Sequence, residues 1–115
     1  MSKARSSVAQ RPALNAAPIF AALGDETRLG LVARLSGGEP MSITTLTEGT
    51  DVTRQAVTRH LEVLSDAGLV RSSRHGRERL WRLERARLDV AKRSLDQIGR
   101  WWDDKLAALK ASIEE

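Results

Sequence analysis

The sequence predicts a mainly α-helical domain carrying one small β-hairpin, and three observations predict it. The stretch from Asp51 to Val70 repeats its apolar residues (Val52, Ala56, Val57, Leu61, Leu64, Leu69) at the spacing of one helical face. Two short segments around Gly76, "LVRSS" and "RERLWRL", alternate in the manner of paired strands. From about Ala86 the helical period returns, and Leu88, Ala91, Leu95, Ile98, Trp102, Leu106, Leu109 and Ile113 form a nearly heptad seam. An aromatic content of only 3% agrees, because the core must then be built from Leu, Val, Ile and Ala.

Each element follows in order. Residues 1–11 (MSKARSSVAQR) are polar, cationic and without periodicity, and read as a mobile basic arm. "PALNAAPIFAALG" resembles a secretion signal only superficially, since Pro12, Asn15 and Pro18 interrupt it, and an intracellular, cytoplasmic protein is expected. Pro18 suits the first turn of a short helix that Gly24 ends. Asp25 is the natural N-cap of "ETRLGLVARL", whose buried side is expected to be Leu29, Val32, Ala33 and Leu35. Gly30 inside that helix costs about 1 kcal/mol relative to Ala, so packing or a close backbone approach should compensate. After the stop "SGGEP", Ser42 caps "ITTLTEG", a weak helix on propensity, with Ile43 and Leu46 facing the core. A turn at Thr50–Asp51 leads to Thr53, the N-cap of the next helix, which ends where Gly68 takes the left-handed position.

Charge is distributed unevenly along this chain of 115 residues. The net charge is +4, and 15 of the 19 cations are Arg. From Val70 to Arg87 seven Arg meet only Glu78 and Glu84, a local balance of +5, whereas the segment from Leu88 onward is close to neutral. A basic pI near 10.3 is compatible with a nucleic-acid partner once the charge is located. No cysteine is present, which excludes disulfides, thiolate metal sites and Cys nucleophiles. No apolar run approaches the ~20 residues of a membrane span. A Gly-rich phosphate loop, a triad order and paired carboxylates are all lacking, so no enzyme is expected.

Helix, tight turn, helix and then a basic hairpin is the organisation of a winged helix-turn-helix. A helix fits the major groove with its N-terminal residues at base edges, while a basic hairpin beside it follows the phosphates. Arg54, Gln55, Thr58 and Arg59 stand on the first turns of the helix after Thr53, opposite its apolar face and with no acid before Glu62. The final helix, some 28 residues or ~40 Å long, exceeds what a small domain needs. Its stripe, Leu95, Ile98, Trp102, Leu106, Leu109 and Ile113, with Trp101 adjacent, is expected to meet a second copy of the chain. The Ile19, Phe20 and Leu23 side of the first helix is expected to share that seam.

The stretches "LGDETRLGLVARL", "SITTL", "VTRQAVTRHLEVLSDAGLV" and "RHGRERLWRL" together resemble the ArsR-type winged-helix repressors of bacteria and archaea. The resemblance covers residues 18–83, and the succession of motifs carries it rather than any single one. It implies a homodimer that binds an inverted-repeat operator in double-stranded DNA and represses transcription. By position it implies Thr53, Arg54, Gln55, Thr58 and Arg59 on the DNA-facing side of the recognition helix, Ser42 and Thr44 near backbone phosphates, and Arg74, His75, Arg77 and Arg79 in the wing.

The chain departs from the family pattern in places. Asp51 stands where the turn commonly has Gly, implying a strained left-handed residue, and Thr50 and Gly30 replace an apolar residue and a helix former. Metal-sensing members carry Cys pairs near Ser42 or His with carboxylates on the last helix. Neither occurs here, so no metal or other cofactor is expected, and a small-molecule effector is left open. His60, on the edge of the buried stripe, reads as a packed structural residue. The expected domains are the arm 1–11, a DNA-binding domain 12–85 and a dimerisation helix 86–115. A DNA binder without sequence preference and a winged-helix protein-interaction module are the alternatives.

Overall fold

The computed structural model describes residues 15–114, so the expected basic arm lies outside the described residues. The elements are α1 (Ala17–Leu23), α2 (Glu26–Leu35), β1 (Met41–Ser42), α3 (Ile43–Glu48), α4 (Arg54–Asp66), β2 (Val70–His75), β3 (Glu78–Leu83) and α5 (Arg85–Glu114). This is a mainly helical winged helix-turn-helix with a long C-terminal helix. The sheet has three antiparallel strands in the order β1-β3-β2.

The helix starts are set locally, as the caps predict. Asp25 accepts a hydrogen bond from the Arg28 amide at 3.0 Å, Ser42 from the Thr45 amide at 3.2 Å, and Thr53 from the Ala56 amide at 3.1 Å. Each satisfies one donor that the first helical turn leaves open. Gly68 (φ +78°) ends α4 and Gly76 (φ +66°) opens the hairpin turn, the latter at the first position of a two-residue loop, as a type II′ turn demands.

One core unites these pieces. Ile19, Leu31, Leu35, Leu46, Val57, Leu61, Leu64 and Leu69 are fully buried, with Val70, Trp81 and Ala91 closing the layer towards the sheet and α5. The weak helix α3 is held from outside. The Arg34 guanidinium donates to the Leu46 and Thr45 carbonyls at 2.8 and 3.0 Å, while within the helix the Thr47 hydroxyl donates to the Ile43 carbonyl at 2.7 Å. Leu46 supplies the buried anchor, with Ile43 half-buried beside it.

Several expectations require correction. In α2 the buried residues are Leu31, Val32 and Leu35, while Leu29 and Ala33 face solvent. In a ten-residue helix the face is chosen by what surrounds it, and here α1, α4 and the sheet lie on the Leu31–Leu35 side. Gly30 is compensated neither by packing nor by close approach, since nothing lies within 4 Å of where a Cβ would stand. Asp51 is not left-handed: no described non-glycine residue has positive φ, so the turn carries none of the expected strain. The hairpin gains a third strand, β1, whose Met41 and Ser42 pair with Trp81 and Leu80. Finally, Ile19, expected at the dimer seam, is 0% exposed and belongs to the domain's own core.

Candidate nucleic-acid interface

α4 divides its surface by function. Val57, Leu61 and Leu64 lock one side into the core, which fixes the helix in rotation and translation. Around the remaining arc, Arg54, Gln55 and Arg59 are exposed and Thr58 is half-buried. Two of the expected contact residues have local duties. The Thr53 hydroxyl caps the helix, and the Thr58 hydroxyl donates to the Arg54 carbonyl at 3.0 Å, holding the first turn closed. Neither duty removes the side chain from the surface.

Three elements converge on one side of α4. A cleft of about 290 Å³ is bordered by Ser42 and Thr44 from the start of α3, by Arg54 and Thr58 from α4, and by Arg77, Arg79 and Trp81 from the wing. Thr44 is exposed at the rim. Ser42, by contrast, is buried, and its hydroxyl is committed to Thr45: it accepts from the amide and donates to the side-chain oxygen at 3.1 Å. Ser42 therefore positions the rim. Arg59 stands apart from this cleft and borders a second groove with Arg28, Ala56, His60 and Val63. Gln55 lies exposed between the two.

The strand register reveals a charge arrangement in the wing. Arg71 pairs with Arg82 and Arg74 with Arg79 across the hairpin, and like charges directly opposite destabilise a sheet. The first pair is relieved by Glu84, whose carboxylate lies 3.5 Å from Arg71 Nε and 3.8 Å from Arg82 Nε. The second pair, on the same face as buried Trp81, has no acid at ion-pair distance among the described residues. Arg79 is nonetheless held in place. Its Nε donates to the Ser72 hydroxyl at 2.9 Å, and its guanidinium carbon lies 4.7 Å from the centre of the Trp81 ring. Glu78 is the acid that also borders the cleft. His75 is on the opposite face, where its Nε2 lies 3.2 Å from the Ser73 hydroxyl. A cationic pair without an ion-paired acid, with Arg79 held in place beside an exposed helix start, is an arrangement for binding phosphate oxygens.

Ser72 and Trp81 as the holders of Arg79 escaped the sequence reading, although a signal existed. A two-residue loop at Gly76–Arg77 forces Arg74 opposite Arg79 and Ser72 opposite Trp81. Arg28 and His60 had no such signal. They lie 32 residues apart, and Arg28 Nη1 approaches His60 Nδ1 at 3.2 Å while its Nε donates to the Ala22 carbonyl at 2.6 Å. His60 thus has the structural role expected of it, tying α4 to α2. Asp25 completes the cluster with Oδ2 3.8 Å from His60 Nδ1. The hydrogen bond from the Arg28 amide holds the Asp25 carboxyl below its ordinary value, with burial opposing the effect and the nearby Arg28 charge adding to it.

The fold and this surface define a DNA-binding helix-turn-helix regulator. A model described as a helix-turn-helix domain matches residues 23–73. The HTH-type transcriptional regulator Rv2034 of Mycobacterium tuberculosis is 34% identical over 93 residues, covering 81% of this chain and 83% of that protein. The arsenical resistance operon repressor of Escherichia coli is 30% identical over 95 residues, 83% of this chain and 81% of that protein. Among solved structures, an ArsR-like transcriptional regulator from Rhodococcus sp. RHA1 superimposes with a TM-score of 0.73 at 41% identity, covering 85% of this chain and 92% of that one. The chain belongs to the ArsR family of helix-turn-helix transcriptional regulators, a family of regulators and not of enzymes. Among the described residues no helix is long and apolar enough to cross a membrane.

Proposed function

We propose that this chain is a homodimeric repressor that reads an inverted-repeat operator in double-stranded DNA. The observation that carries the reading is the exposure of Arg54, Gln55 and Arg59 on a helix anchored by Val57, Leu61 and Leu64, beside the uncompensated Arg74–Arg79 pair. Arg and Gln at the start of such a helix are the side chains that form paired hydrogen bonds with guanine and adenine edges. Arg74, Arg77, Arg79 and Thr44 serve as phosphate contacts, with His75 at the hairpin's end. Thr53 and Thr58 hold the first turn at the base edges.

The dimer is proposed on the behaviour of α5. Its 30 residues extend about 45 Å, but its buried residues end at Ser94. Beyond that point Leu95, Ile98, Trp102, Leu106, Leu109 and Ile113 are 43–75% exposed on one stripe, and Trp101 is half-buried. A helix that projects from its domain with an apolar stripe gains little stability alone, and a second copy supplies the missing face. Phe20 and Leu23, half-buried at the edge of α1, extend that seam. On this reading residues 12–85 form the DNA-binding domain and 86–115 the dimerisation helix. The repressor role follows the arsenical resistance repressor that the chain resembles.

Selection from a random duplex library near physiological salt tests the whole proposal. Recovery of an inverted repeat with half-sites ~10 bp apart is expected. Strong low-salt binding with no enriched sequence would instead indicate an architectural binder, and absence of binding a protein-interaction module.

A further inference from the structure

The second groove beside α4 lies on the flank away from the wing. It encloses about 240 Å³, with Arg28, His60 and Arg59 around a floor of Ala56 and Val63. Arg28 is locked at two points, through Nε to the Ala22 carbonyl and through Nη1 to His60 Nδ1, which leaves its Nη2 edge uncommitted. Because His60 Nδ1 accepts from Arg28, the neutral ring carries its proton on Nε2, and that N–H has no partner among the described residues. Arg59 likewise forms no ion pair among the described residues, although Glu62 follows it on the same helix. The nearby acid, Asp25, lies on the Nδ1 side of the ring, engages the Arg28 amide, and does not border the groove.

We propose that Arg28, His60 and Arg59 form a seat for a single oxyanion between α2 and α4. Three donors line this groove, no carboxylate lines it, and one guanidinium is already immobilised, so little ordering remains to be done on binding. The shared ligand chemistry is a phosphate or carboxylate oxygen pair, supplied either by the DNA backbone or by a small free acid. The apolar floor, with Val63 40% exposed, accommodates the body of a small aryl or alkyl acid. The seat stands on its own geometry, and only the assignment of a DNA phosphate to it rests on the proposed operator binding. Because Arg59 also belongs to the proposed DNA surface, an acid in this groove would compete with DNA for the same guanidinium.

The test uses the full chain and two variants. His60→Asn keeps an acceptor for Arg28 near the Nδ1 position and removes the Nε2–H donor. Val63→Glu places a carboxylate in the groove from an exposed position that folding tolerates. Inorganic phosphate and benzoate are titrated at constant ionic strength while NMR follows the Arg28 side chain and the Val63 methyl groups, or the Arg28 side chain alone in Val63→Glu. The expected result is a saturable shift in the wild type, weakened about tenfold by His60→Asn and abolished by Val63→Glu. DNA binding then separates the sources. A salt slope made shallower by about 2 in His60→Asn, one phosphate contact per protomer of the proposed dimer, assigns the seat to a backbone phosphate, whereas an unchanged slope assigns it to a free anion. No saturable shift in the wild type, or equal shifts in all three proteins, overturns the seat. A chain that binds no duplex would refute the operator reading and leave the anion titration to stand by itself.

Discussion

The guanidinium of Arg34 lies directly over Gly49, in the space that any Cβ at that position would enter. From there it reaches the last carbonyls of α3, the helix with the poorest intrinsic propensity in the domain. Gly49 has φ −90°, so its role is room for Arg34 rather than an unusual backbone. Arg34→Ala and Gly49→Ala should each destabilise the fold by about 1 kcal/mol, the worth of a charge-assisted pair of partly exposed bonds. Denaturant unfolding of the double variant should fall short of the summed losses, because both changes remove one interaction. Full additivity would separate the two residues.

Gly30 offers the opposite outcome. It sits inside α2 with open space where a side chain would begin. Gly30→Ala should therefore stabilise the domain by roughly 0.5–1 kcal/mol through helix propensity alone. Thermal unfolding should show a rise of a few degrees, and a fall would mean that the position is covered in the assembled protein.

Asp25 imposes a pH dependence whose sign follows from its depressed pKa. A carboxyl held below its ordinary value of 3.8 stabilises the fold above that value, and loses the contribution as pH falls through the folded pKa. Asparagine caps helices as well as aspartate does, but does not titrate. The gap in stability between wild type and Asp25→Asn should thus change below about pH 4 and stay level above it.

The stripe on α5 can be broken without touching the DNA-binding domain, since the buried residues of the helix end at Ser94. Sedimentation should find the wild type as a dimer and Leu106→Asp as a folded monomer. A wild-type monomer at micromolar concentration would remove the proposed seam.

The two classes of proposed DNA contact should separate in binding assays. Arg54→Ala or Gln55→Ala should relax base preference by about 1–3 kcal/mol at one position of each half-site. Arg77→Ala should weaken binding to all sequences alike. If the dimer neutralises about eight phosphates, log K should fall against log salt with a slope near −7, and loss of one contact per protomer should make it shallower by about 2. Identical behaviour of the two classes would refute direct readout by α4.

How far the sequence reaches is clearest from particular elements. Asp25, Ser42, Thr53, Gly68 and Gly76 announced their caps and turns because each acts on backbone within a few residues of itself. The long α5 was legible because its period is sustained, and the exposed set Arg54, Gln55 and Arg59 because a strong apolar face fixes its opposite. The buried face of ten-residue α2 was not legible, since so short a pattern fits more than one rotation of the helix, and Leu31 rather than Leu29 turns inward.

The sequence by itself determined which segments are helical, where each begins, where the hairpin turns and where the positive charge lies. These are governed by capping bonds, periodicity and composition, all of which are local. Only the tertiary structure decided that Ile19 points inward, that two residues at Met41–Ser42 become a third strand, and that Glu84 relieves one arginine pair and not the other. The same holds for Arg28 meeting His60 and Arg34 settling over Gly49. In each case the partners come from separate elements, and a contact made by packing has no period for the sequence to display.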